Sequence, residues 1–79
     1  MKLYGHIYSG IKLNDKEEFA FATEKGIQLI KKTGKEFRIL DEQYYSDISM
    51  NSIIQNNRDE LVTTGTFTNK MYVVLRKET

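Results

Sequence analysis

His6 is the chain's one histidine, and it is the natural place to look for proton transfer or nucleophilic activation. Ser9 stands three residues on. A Ser–His pair also needs an orienting carboxylate and a turn that exposes the hydroxyl, and no Gly-x-Ser-x-Gly elbow is present. One histidine without any cysteine cannot assemble the usual transition-metal donor set, a zinc ribbon or a thiolate nucleophile. Carboxylates fall together at Glu17-Glu18, Asp41-Glu42 and Asp59-Glu60. Glycoside chemistry requires two carboxylates facing each other across a cleft, whereas sequence neighbours at element ends read more simply as solvated charge. Gly5, Gly10, Gly26, Gly34 and Gly65 fit neither a Walker loop nor a dinucleotide fingerprint. The sequence therefore predicts no catalytic residues, no metal site and no cofactor.

Two groups of residues have binding chemistry instead. Lys31, Lys32, Lys35 and Arg38 form the densest run of charge. They suit a phosphate backbone or an acidic protein surface, and equally a helix C-terminus whose dipole favours cations. The second group is aromatic. Tyr4, His6 and Tyr8 share one parity near the start, and Tyr72 and Arg76 share one near the end. Amphipathic aromatics with arginine are enriched at the centres of protein interfaces, and aromatic sheet faces also stack single-stranded nucleic acid. The expected partner-binding residues are Tyr4, His6, Tyr8, Arg38, Tyr72 and Arg76, with Tyr44-Tyr45 as a second aromatic point.

The elements that must position these residues follow from periodicity. Residues 1–9 alternate, with Leu3 and Ile7 on one side and the Tyr/His positions on the other, which predicts a strand. Asn14 followed by Glu17 resembles a capping box. Phe19, Ala20, Ala22, Gly26, Ile27, Leu29 and Ile30 gather on one side of a helical wheel, and Gly34 fits a left-handed cap. A helix over residues 15–33 is expected, although Phe21 falls off its apolar side. The alternative takes residues 19–22 as a strand and begins a shorter helix at Thr23. Residues 35–41 alternate as a second strand, with Phe37 and Ile39 opposite Arg38 and Leu40. Met50, Ile53 and Ile54 suggest a short helix ending near Asn56. Residues 61–68 and 71–77 predict a hairpin around Asn69-Lys70. The expected fold is α+β: a four-stranded mixed sheet in the order β-α-β-(short α)-β-β, with a right-handed crossover and the helices on one face.

Bulk composition bounds the function. Seventy-nine residues with 39% hydrophobic and 29% charged side chains predict one compact domain, 1–79. No apolar run is long enough to span a membrane. The opening residues do not read as a secretory signal, and the lack of cysteine favours a reducing compartment, so a cytoplasmic location is expected. A net charge of +1 gives duplex nucleic acid little to bind. A core this small without proline or disulfides gains from association, so a homodimer is expected. The reading that fits is a non-enzymatic protein-binding module, by analogy with the small inhibitors and regulators carried by phages and mobile elements. Single-stranded nucleic-acid binding through an aromatic and basic sheet face is the alternative.

Overall fold

A computed structural model describes residues 5–13 and 17–75, with the backbone alone at 41 and 42. The described residues form seven strands: β1 (Ile7–Lys12), β2 (Glu18–Thr23), β3 (Gly26–Thr33), β4 (Glu36–Tyr44), β5 (Met50–Gln55), β6 (Leu61–Gly65) and β7 (Met71–Val74). They make a four-stranded sheet in the order β1-β2-β3-β4 and a three-stranded sheet in the order β5-β6-β7. Every strand pairing is antiparallel.

The expected α+β fold is thus corrected to all-β, with no helix among the described residues. Of the predicted helix over 15–33, residues 15 and 16 lie outside the described residues, and the described part holds two strands joined by a tight turn. Thr23 pairs with Gly26 across Glu24-Lys25. The Thr23 hydroxyl accepts from Lys25 N–H at 3.1 Å and donates to the Gly26 carbonyl at 2.8 Å. Gly26 has φ of +91°, and the backbone of Tyr44 and Tyr45 passes so close that a Cβ would overlap both carbonyls. A glycine assigned to a helix face by its spacing is therefore the pivot of a hairpin. The strand alternative for residues 19–22 agrees with β2, but the helix it placed after Thr23 is β3.

Gly34, expected as a helix cap, is the first central residue of the next hairpin. Thr33 pairs with Glu36 around Gly34-Lys35, and Gly34 has φ of +61°, as a turn with positive φ at that position requires. The expected parallel crossover is replaced by sequential hairpins. The predicted short helix is also a strand, β5. Its register shifts between Met50 and Ser52, so Asn51 is an extra residue. This bulge lets Met50 and Ile53 face inward three positions apart, which imitates helical spacing. The predicted C-terminal hairpin is present as β6 and β7, with Asn69 at φ of +54° in the connection.

The two sheets share one core. Leu13, Ala20, Ala22, Ile27 and Leu29 of the first half pack with Met50, Ile53, Leu61 and Val74 of the second. The joint between the sheets is aromatic. Tyr45, at φ of +55°, sets its ring 4.8 Å from that of Tyr72 and donates its hydroxyl to the Val73 carbonyl at 3.3 Å.

Candidate functional site

Among the described residues, the expected binding residues are not brought together. Tyr4 and Arg76 lie outside the described residues. His6 is exposed just before β1, where its N–H donates to Glu24 Oε2 at 3.2 Å and its carbonyl accepts from Glu24 N–H at 2.9 Å. Tyr8 is exposed at a register shift in β1. Arg38 is exposed on β4 opposite Lys31. Tyr72 is in the other sheet, half-buried against the core and Tyr45. β1 and β4 are the two edges of one sheet and β7 is an edge of another, so the structure does not gather Tyr8, Arg38 and Tyr72 on one face.

The first sheet also presents an aromatic outer face. In β2 the small residues Ala20 and Ala22 enter the core, and the large ones, Phe19 and Phe21, point away from it. Register carries this outward side across the sheet. Phe19 pairs with Ile30, Ile30 with Ile39, and Lys32 with Phe37. Ile30 is 0% exposed yet lies outside the shared core, covered on the outer side of the sheet. The Phe19 and Phe37 rings lie 6.4 Å apart at 54°. Phe21 covers Gly10, its cross-strand partner, with Cδ1 so close that a Cβ at Gly10 would meet it at 2.7 Å. Phe19, Phe21, Ile30 and Phe37 line a shallow open depression of about 250 Å³.

An outer sheet face ordinarily carries polar residues opposite an apolar inner face. Here the outward side is the more aromatic one, and Phe37 remains 50% exposed. Lys12, paired with Phe19, and Lys32, paired with Phe37, stand at the margin of the same face. Lys12 has a loose, exposed contact with Glu17 at 3.9 Å, a geometry that is worth little in water. Gln28, paired with Phe21, is buried, and its Oε1 has no hydrogen-bond partner among the described residues.

The basic residues of the sequence reading now have a position. Lys31, Lys32, Lys35 and Arg38 occupy the end of the β3–β4 hairpin, with Lys32 on the aromatic side and Lys31 and Arg38 paired on the reverse side. Elsewhere, Ile54, Val62 and Val73 form an apolar row on the outer side of the second sheet, and Phe67 stands 89% exposed in the β6–β7 connection. No cluster of three or more His, Asp or Glu side chains able to hold a metal occurs among the described residues. No helix among them is long and apolar enough to cross a membrane.

Parity alone could have found the aromatic face. Phe19-Ala20-Phe21-Ala22 alternates large and small, and Phe37 and Ile39 share one parity. What concealed it was the helix expected over residues 15–33, against which Phe37 and Ile39 were set to pack. Compared with known proteins, the chain matches no family model, no curated protein and no solved structure.

Proposed function

We propose that this chain is a non-enzymatic protein-binding module whose contact surface is the outer face of the four-stranded sheet. The observation that carries this reading is the inversion in β2, where alanines fill the core and phenylalanines face out. Exposed apolar surface is tolerated when a partner covers it. A concave patch with aromatic walls also has the character of an interface centre, where a few anchors supply most of the binding energy. The expected binding residues accordingly move from the tyrosines to Phe19, Phe21 and Phe37.

Single-stranded nucleic acid ranks second. Phe19, Phe21 and Phe37 with Lys12 and Lys32 form an aromatic and basic sheet face, the combination that base stacking uses. It ranks below protein because the depression is walled by hydrocarbon and the net charge is +1. A bait chain used for capture from its native extract tests the proposal, with and without nuclease. The partner should be retained by wild type and by Ile54→Ser, and lost from Phe19→Ser and Phe37→Ser, each shown folded by circular dichroism. Equal retention by all four baits would refute the proposal, and loss on nuclease treatment would favour the second reading.

A further inference from the structure

The proposed contact face has a charge of its own. By register its outward positions include Lys12 and Lys32; Glu17 stands beside them, its carbonyl accepting from Lys32 N–H at 2.7 Å and its carboxylate 3.9 Å from Lys12, which leaves Lys32 as the cation of the face without an ion pair to a described residue. Lys32 lies directly across from Phe37, which forms one wall of the depression. The hairpin that carries both residues holds Lys31, Lys32, Lys35 and Arg38 against the carboxylate of Glu36, with Lys31 and Arg38 on the reverse side of the sheet. Lys32 and Lys35 are exposed and make no ion pair with another described residue. The depression itself, about 250 Å³ and lined by Phe19, Phe21, Ile30 and Phe37, has room for one bulky apolar side chain. The hydrocarbon walls thus adjoin a basic margin on one side.

From this juxtaposition we infer that the partner presents an acidic segment bearing a bulky apolar anchor. This inference rests on the reading of the outer face as a protein-binding surface. The anchor enters the depression between Phe19 and Phe37. Flanking carboxylates lie along Lys32 and Lys35, where unlike charges accelerate encounter and set the register of the segment. A neutral or basic segment with the same anchor would gain the apolar contact alone, and a basic one would be repelled from the hairpin. Carboxylates at a wet margin discriminate more than they add in affinity, because exposed pairs are screened by salt.

Defined synthetic probes test this. A fluorescent peptide with Leu-Trp at its centre and Asp/Glu on both flanks is titrated against the full chain at low salt. Three competitors follow: the same peptide with Lys flanks, the acidic peptide with Ser-Gly replacing Leu-Trp, and a short oligodeoxythymidylate. The anchored acidic peptide should bind at least about tenfold tighter than either altered peptide. Its affinity should fall about tenfold in Phe37→Ser and in Lys32→Glu/Lys35→Glu. Lys70→Glu, in the β6–β7 connection of the second sheet, should leave it unchanged. Added salt should reduce the preference for acidic flanks. If the Lys-flanked peptide binds as tightly as the acidic one and still requires Phe37, the acidic partner is refuted while the protein-binding face stands. If no anchored peptide distinguishes wild type from Phe37→Ser, or the oligonucleotide displaces every peptide, both are refuted.

Discussion

Gly26 and Gly34 look alike in sequence, each following a threonine within a few residues and each near lysine, but their surroundings differ. Gly34 has φ of +61° with no neighbour within 4 Å of where a Cβ would stand. Its replacement by alanine meets only the left-handed backbone penalty, about 1–2 kcal/mol. Gly26 adds a steric term, because a Cβ there would overlap the carbonyl oxygens of Tyr44 and Tyr45, and backbone cannot swing aside as a side chain can. Gly26→Ala should therefore cost clearly more than Gly34→Ala, about 3 kcal/mol or above. Urea midpoints for the two variants at constant m-value check this ordering. Equal midpoints would mean that the β4–β5 backbone does not press on the β2–β3 turn as described.

In the β5–β6 hairpin, one side chain organises the connection. Asn56 Oδ1 accepts from the N–H groups of Arg58 at 2.9 Å and Glu60 at 3.0 Å, and its Nδ2 donates to Glu60 Oε1 at 2.9 Å. The Asn56 backbone closes the turn as well, donating to the Glu60 carbonyl at 3.0 Å and accepting from Asp59 N–H at 3.1 Å. Asn56→Ala keeps the backbone bonds and removes the side-chain ones, so a loss of about 1–2 kcal/mol is expected. Asn57→Ala, on the exposed neighbour, should stay within about 0.5 kcal/mol. Thermal unfolding of the pair measures the difference, and two equal melting temperatures would contradict the role given to Asn56.

The same hairpin shows why the elements were only partly legible. Asn51, Asn56 and Asn57 correctly lowered the expectation of a long helix, yet Met50 and Ile53 at a spacing of three still suggested a short one. A bulge produces that spacing in a strand, and a bulge has no signature in composition. In β2 and β3 the ambiguity arose differently. A strand that is apolar on both faces has no period of two to read, and seven such residues can be fitted to a helical wheel. Where one face was polar, as from Glu36 to Arg38 or in the β6–β7 hairpin, alternation identified strands that the structure contains. The candidate site was legible as residue types, aromatics beside lysines, but not as a place. Tyr4, His6 and Tyr8 were grouped by parity, and parity does not say which strands are neighbours.

The molecule as a whole has one apolar layer between its sheets and a second outside the larger sheet. Loss of each should affect a different measurable property. Leu29 is fully buried in the shared core, so Leu29→Ala leaves a cavity among packed side chains and should cost about 2–5 kcal/mol. Phe37 is half exposed on the outer side, so Phe37→Ser gives up little burial and should cost about 1 kcal/mol or less. Binding of a hydrophobic dye to the folded chain should show the reverse order. Leu29→Ala leaves the outer depression in place and should bind dye as wild type does below its unfolding transition. Phe37→Ser removes one wall and should lose most of that signal. Concentration-dependent sedimentation on the same proteins tests whether a second copy also uses the face: a dimer lost in Phe37→Ser and kept in Leu29→Ala would put the outer layer at the dimer contact. If Phe37→Ser instead unfolds the chain while keeping the dye signal of its residual native fraction, the outer phenylalanines are holding Ile30 and the sheet together, and the division of labour between the two layers is wrong.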